Sequence, residues 1–354
     1  SSAVTILKQD AGGFVHARTR MHASNLARPI AKFGSRAEGL YDVLCVWGQP
    51  GIETVSARIR EERISNNSVV VLYLGRLTED QRLRIRSIGS SVAVLDETLF
   101  VFLAGESDAR LPAFLSCSMP FTEINPSVSG GRVPPEMFFG RQELAARLED
   151  PDGACVVYGG RQLGKSALLY HVMSEFNDSS DSDRQRHAWV IDLKSFEDAI
   201  EEGSVGTELW IRIRETFNDA GLFKPKRSTK NPVQIQGHVK DVMDGNPNMR
   251  ILMMFDESDY FLLADSKSNF QAVNVLRDLM TSTQNRFKVI FAGLHNVQRY
   301  QSLPNQPLAH FGNPVVVGPL KATAAEMLIR QPLGTLGYSI SAEQVLQIFS
   351  YTNY

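Results

Sequence analysis

Cysteine is scarce: three in 354 residues, at Cys45, Cys117 and Cys155. Their scatter and odd number exclude a disulfide framework and a CxxC metal knuckle, and suit a reducing compartment. Cys155, inside an apolar run, reads as a small core residue. Long apolar runs are also missing. No stretch reaches the roughly 18 residues that a membrane helix needs. The N-terminal "SSAVTILKQDAGGF" has no basic segment followed by a long apolar one. A cytoplasmic protein with no membrane partner is the expectation. Nor does charge of one sign dominate: 37 Lys+Arg against 39 Asp+Glu leave −2, so no global basic field draws in nucleic acid or anionic lipid. A local basic run remains, "FKPKRSTK" (223–230), readable as a solvated loop or as a contact for nucleic-acid phosphates. With 43% hydrophobic and 21% charged residues the chain is globular in composition, and its length is that of about two domains.

Three zones follow one another. Up to about residue 104, the apolar, β-branched runs "YDVLCVW" (41–47), "SVVVLYLG" (68–75) and "VAVLDETLFVFL" (92–103) enclose two stretches with helical spacing, "ETVSARIREERI" and "TEDQRLRIRSI". Such alternation predicts a small parallel α/β domain over 1–104, with a helix starting at Thr78. Residues 105–137, rich in Pro, Gly, Ser and Asn in "MPFTEINPSVSGGRVPPEM", read as a linker. From 138 to 320 strands and helices alternate again, interrupted by the polar "DSSDSDRQR" (178–186). Residues 321–354 are helical in character and end without a cap, which suggests that further protein follows Tyr354.

Within the third zone "GGRQLGKS" (159–166) satisfies G-x-x-x-x-G-K-[ST]. A buried-strand pattern, "ACVVYG", precedes it and an amphipathic helix, "SALLYHVM", follows, which is the setting a phosphate loop requires. Glycines let such a loop wrap closely with its N–H groups inward, and the helix N-terminus adds partial positive charge. Gly159, Gly160, Arg161, Gln162, Leu163, Gly164, Lys165, Ser166 and Ala167 are therefore expected to cradle a nucleotide. Lys165 would reach the β- and γ-phosphates and Ser166 would offer its hydroxyl to Mg²⁺. Downstream, "RILMMFDESD" (250–259) is an apolar strand ending in carboxylates, and strand ends are where parallel α/β sheets bind ligands. Asp256 is expected to hold the Mg²⁺ and Glu257 to act as general base on the attacking water; both acids could instead cap the next helix. "VAVLDE" (92–97) has no GK[ST] partner upstream, so Asp96 and Glu97 read as a strand-end pair or the relic of a degenerate nucleotide fold.

In their order these motifs resemble the AAA+-like P-loop ATPases, especially the origin-recognition-like and STAND (signal-transduction ATPase) branches. "FFGRQEL" (138–144) is similar to the box before their phosphate loop, "GGRQLGKSALL" to their G-x-R-x-x-G-K-[ST]-x-L-L loop (Walker A), "MMFDESDYFL" to their hhhhDE strand (Walker B) and "PLGTLGY" to a segment of their lid. The resemblance covers roughly residues 135–354. It implies an α/β fold of ASCE type: a parallel sheet flanked by helices, the sensor strand "KVIFAG" (288–293) between the two Walker strands, and the start of a helical lid. It implies Phe139 and Gly140 framing the base, Arg141 near the adenine edge or a domain junction, and His295 or Asn296 as the polar sensor. Arg277, Arg286 and Arg299 are arginine-finger candidates, and Arg330 a sensor-2 candidate without a convincing place. The implied cofactors are ATP and Mg²⁺.

Three functions compete. One is an ATP-driven switch of the STAND/AAA+ type that couples nucleotide state to oligomerisation or to an effector, in signalling or antiviral defence. The second is a DNA-remodelling or loading ATPase. The third is a non-catalytic nucleotide-binding scaffold whose N-terminal domain recruits a partner. A homo-oligomer, or a partner protein on the N-terminal domain, is expected under the first.

Overall fold

The computed structural model describes residues 4–10, 13–20, 40–61, 68–88, 92–106, 110–119, 133, 137–179, 185–196, 204–302, 308 and 311–352. The chain forms two compact units, Arg141–Pro319 and a second made of Ser1–Gly140 together with Leu320–Tyr354.

The discontinuous unit holds a five-stranded sheet in the order β1 (Val4–Asp10), β2 (Phe14–Arg20), β3 (Leu40–Val46), β4 (Ser68–Tyr73), β5 (Val92–Asp96). Helices α1 (Ile52–Glu61) and α2 (Glu79–Arg86) lie in the two crossovers between β3, β4 and β5, which run parallel as their alternation with helices predicts. The sheet as a whole is mixed, because β1 and β2 form an antiparallel hairpin on the edge of β3. At the base of this hairpin Asp42 is fully buried and accepts two hydrogen bonds from the Arg18 guanidinium and one contact from His16 Nε2. The pairing offsets the cost of burying its charge. Thr78 caps α2 in a reciprocal box with Gln81, as its position before two acids suggests.

The run 92–103 is not one strand. It breaks at Asp96, whose carboxylate accepts the N–H of Leu99 and starts helix α3 (Glu97–Gly105). The same carboxylate also accepts from Leu77 N and from Arg82. Asp96 is thus the strand-end acid that the sequence suggests, and its carboxylate is engaged inside the fold as the cap of α3. The stretch 105–137 contains helix α4 (Arg110–Ser118), which Ser118 ties to Val94 of β5; most of the rest lies outside the described residues, as do 180–184 of the polar insertion. Two helices close this unit, α12 (Ala322–Thr335) and α13 (Ala342–Tyr351), the former carrying Pro332 and "PLGT" within its last turns.

The continuous unit is α/β, with a five-stranded, all-parallel sheet flanked by helices. Its strands are β6 (Val156–Gly159), β7 (Arg186–Asp192), β8 (Arg250–Asp256), β9 (Phe287–Gly293) and β10 (Val315–Val317), in the spatial order β10-β6-β9-β8-β7. Strand β9 thus separates β6 from β8. Its helices are α5 (Gln142–Glu149), α6 (Lys165–Asp178), α7 (Val205–Asp219), α8 (Pro232–Gly245), α9 (Asp259–Ser266), α10 (Gln271–Ser282) and α11 (His295–Ser302). Gly221, with φ 68°, follows the end of α7. Every residue of β9 and all but the first of β8 are buried, the pattern of strands covered on both faces. On one face Ile251, Met253, Phe255, Val289 and Phe291 pack against Leu209, Ile213, Val239, Phe261 and Leu276 of the helices. At its centre the Phe291 ring meets Phe255, Phe261 and Phe311 at centroid distances of 5.4, 6.1 and 5.9 Å.

Phe291→Ala should cost this unit about 3–5 kcal/mol in chemical denaturation, and Phe291→Leu distinctly less, because leucine leaves a smaller cavity among the three rings.

Candidate functional site

Strand β6 ends at Gly159 against the backbone of β10. A Cβ there would sit 2.2 Å from the Val317 carbonyl oxygen, so only glycine fits. The chain then turns through Gly160, Arg161, Gln162 and Leu163 to Gly164, with Gln162 (φ 60°) and Gly164 (φ 83°) both left-handed, and enters α6 at Lys165. Arg161 and Gln162 are exposed, whereas Ala167 turns its methyl into the core beside Leu168 and Leu169. Lys165 is buried, and its Nζ donates to the carbonyls of Gly159 and Gly160, each at 3.0 Å. The ammonium is thereby held inside the curl of the loop. Strand, left-handed glycine and helix N-terminus form an anion cradle of the phosphate-loop kind.

The pre-loop arginine supports this curl from behind. Arg141 donates from Nη1 to the Gly164 carbonyl at 3.3 Å and from Nη2 to the Gly318 carbonyl at 3.0 Å. It therefore ties the loop to the segment after β10. Helix α5, which Arg141 precedes, is fixed at its far end by two cations. Lys288, fully buried on β9, donates from Nζ to the carbonyls of Leu148 and Asp150, and Arg250 donates to that of Glu149. These satisfy helix-end carbonyls that the helix itself leaves open. Burial pulls the Lys288 ammonium below its ordinary range and raises the nearby Cys155 thiol to about 11. Phe139 and Gly140 belong to the other unit, where Phe139 is buried and Gly140 (φ 70°) abuts Ala324.

The acid pair closes the site. Ser166 Oγ, in the first turn of α6, donates to Asp256 Oδ2 at the end of β8 at 2.5 Å, and so joins the element after β6 to a strand that is not its neighbour. Asp256 is buried, and its Oδ1 accepts the N–H of Glu257 at 3.0 Å. A hydroxyl and a carboxylate oxygen set side by side suit a hard cation such as Mg²⁺, which takes few protein ligands and completes its shell with water and phosphate oxygens. Among the described residues no three His, Cys, Asp or Glu side chains form a closed metal cage, so the fit is to such an open site. Glu257 has φ 51°, a left-handed value uncommon for a residue with a side chain. Its carboxyl is pushed above the ordinary glutamate range by partial burial and then by the neighbouring Asp256; Asp259 and Asp192 add to the rise and Lys165 opposes it.

Two further acids at this edge were not singled out from sequence. Asp192 ends β7 directly beside Asp256 in the parallel register; a carboxylate at the end of "WVID" was the available signal. Asp259 accepts the N–H groups of Leu294 (2.5 Å), Asn296 (2.6 Å) and Val297 (3.4 Å), so it caps α11 from another helix. Asn296, expected as a sensor, turns its amide to the Asp259 carbonyl at 3.1 Å. His295 begins α11, and its side chain lies outside the described residues. The arginine-finger candidates part company. Arg286 donates to the carbonyls of Met243 and Asn246 before the start of β9, at the opposite end of the sheet from the loop, where it cannot reach a phosphate. Arg299 lies over the Tyr300 ring and Arg277 is half-buried on α10. Arg330, on α12, is bound to Glu326 and to the Ile340 carbonyl.

Gly159→Ala should destabilise this unit by about 1–3 kcal/mol, since the added methyl meets a fixed backbone carbonyl. Gly160→Ala, whose methyl would meet only the movable tip of Leu163 at 3.0 Å, should cost under about 0.5 kcal/mol. Thermal denaturation of both variants checks the contrast.

Comparison with known proteins gives little beyond this geometry. No family model matches the chain, and no curated protein does. Among solved structures it is similar to the Aeropyrum pernix ORC1 protein, solved in complex with DNA, at 13% identity and a TM-score of 0.37, over 58% of this chain and 52% of that one. It is also similar to C. elegans PCH-2, at 10% identity and a TM-score of 0.30, over 72% and 59%. The match thus spans between half and three-fifths of those chains. The fold assignment rests on the strand order and the phosphate loop themselves, and these are what the resemblance to P-loop ATPases implies.

Proposed function

We propose that this chain binds ATP and hydrolyses it, and that hydrolysis works a molecular switch of the STAND/AAA+ type. The observation that carries the reading is the 2.5 Å contact between Ser166 Oγ and Asp256 Oδ2, with the Lys165 ammonium folded into the loop beside it. In this reading residues 138–320 are the ATPase core, 321–354 the start of a lid, and 1–104 the domain that meets a partner. Residues 159–167 hold the triphosphate, and Ser166 with Asp256 holds Mg²⁺, which would draw charge from the phosphate oxygens. Lys165 neutralises charge that builds on the β- and γ-phosphates. Glu257 accepts a proton from water as the water oxygen bonds to the γ-phosphorus and the bond to the β-phosphate oxygen breaks. Asp259 is a positioning residue, because it fixes the turn that presents His295 and Asn296. The Asp-Glu pair favours hydrolysis over a scaffold that only binds nucleotide. Control of oligomerisation or of an attached effector, in signalling or antiviral defence, is the output this reading assigns to the switch.

Lys165→Ala should lower both ATP affinity and phosphate release by about 10²-fold or more. Glu257→Gln should retain ATP binding while phosphate release falls roughly 10²–10⁴-fold. Hydrolysis unchanged in both variants would sink the proposal. The pH dependence has a definite sign. Only the ionised carboxylate accepts the proton, and its environment raises its pKa, so the rate should fall with decreasing pH at values above the ordinary glutamate range. A pH–rate profile measured with saturating ATP reads this limb. Sizing the full chain with ATP and then with ADP should give two different assembly states.

A further inference from the structure

The basic run at 224–230 is not used by the ATPase reading. It lies in the connection between α7 and α8, and its main chain is held at several points. Asn218 donates from Nδ2 to the Arg227 carbonyl at 2.7 Å and accepts the Arg227 N–H at 2.8 Å. Arg214 donates from Nη1 to the carbonyls of Ser228 and Thr229, at 3.2 and 2.8 Å. Phe223 anchors the start of the loop in the core, with its ring 5.1 Å from that of Phe217. Asn231 caps α8 at the other end. Every one of these contacts engages backbone or a flanking residue. The side chains of Lys224, Lys226, Arg227 and Lys230 make no hydrogen bond or ion pair among the described residues, and the three lysines are exposed. Asp219, the nearest acid in sequence, pairs with none of them, and no acid lies between Ala220 and Pro232.

Four cations without partners among the described residues therefore stand on a backbone that is already fixed, so little ordering entropy is lost when they engage a polyanion. From this arrangement we propose that the 224–230 loop binds the phosphodiester backbone of nucleic acid. The loop offers charge and no apolar anchor: Pro225 is the only non-polar side chain between Lys224 and Lys230. A bilayer surface would call for an inserted aromatic or leucine, and a protein interface for an apolar centre. A duplex carries one charge per roughly 1.7 Å of axis and needs neither. Contact through phosphates alone positions the chain on nucleic acid without reading sequence.

The test is fluorescence anisotropy of the full chain with a labelled random-sequence duplex and with one of its single strands, each between about 50 and about 200 mM salt. Both strand forms carry the chemistry, and comparing their affinities tells which is preferred. Wild type should bind at low salt. Lys224→Ala/Lys226→Ala/Arg227→Ala/Lys230→Ala should weaken binding at least tenfold and flatten the log–log salt slope by about 3 to 4, at roughly 0.9 per phosphate contact on duplex. Lys224→Arg/Lys226→Arg/Lys230→Arg, which keeps the charge, should retain wild-type affinity and so excludes general misfolding. Asn218→Ala frees the loop without altering its charge, and should weaken binding several-fold with the slope kept. Glu257→Gln should bind like wild type, so the outcome is independent of the hydrolysis reading. No binding at low salt, a slope that survives the fourfold alanine variant, or tighter capture of polyglutamate than of either strand form would overturn the proposal.

Discussion

The phosphate loop and the acid pair sit on strands that never touch. β9 lies between β6 and β8, which sets the two strand ends about 10 Å apart, twice the spacing of neighbouring strands. The hydrogen bond from Ser166, in the first turn of α6, to Asp256 spans this gap. The same gap makes room at the sheet edge for the turn that follows β9. Asp259 holds that turn by collecting the N–H groups of three residues. Without β9 in the middle, the loop and the acids would face each other directly, and no third segment could stand beside them.

Buried charge sustains this edge from the other end of the sheet. Lys288 and Arg250, at the starts of β9 and β8, hold the last carbonyls of α5, and Arg141 at the head of that helix supports Gly164. The cations at the base and the anion cradle at the top are thus connected through one short helix. Desolvating Lys288 is costly, and the cost is offset because the ammonium satisfies carbonyls that would otherwise be left open in the core.

Much of the continuous unit was legible in the sequence because its signals are local. The strand–loop–helix around Gly159–Ser166 and the apolar run ending in Asp256–Glu257 stand out by composition and spacing, and the structure forms them at those residues. The position of β9 between them followed from family resemblance and not from any residue in it. What stayed hidden is long-range. Asp259 looks like an ordinary first-turn acid, yet its partners lie 35 to 38 residues away. Lys288, one cation in an apolar strand, has its partners 138 and 140 residues away. In the other unit the β1–β2 hairpin was missed because "VTILKQD" and "FVHARTR" mix polar and charged residues into strands; the polar side chains of His16 and Arg18 make sense only once Asp42 arrives from β3. In the run 92–103 the strand end at Asp96 was legible and the helix after it was not. Its apolar residues continue past Asp96, and only the capping geometry shows that strand gives way to helix there.

The division of the chain bears on how it is made. The polypeptide leaves the first unit at Gly140, builds the second, and returns at Leu320. During synthesis, which runs from the N-terminus, the inserted unit has its whole sequence before its host does. The discontinuous unit is therefore complete only once α12 and α13 have emerged, although the buried residues of its sheet, Phe14 to Val94, all precede the inserted unit. A pause or truncation after Pro319 would release a chain whose phosphate-loop unit can close and whose mixed-sheet unit lacks its final helices.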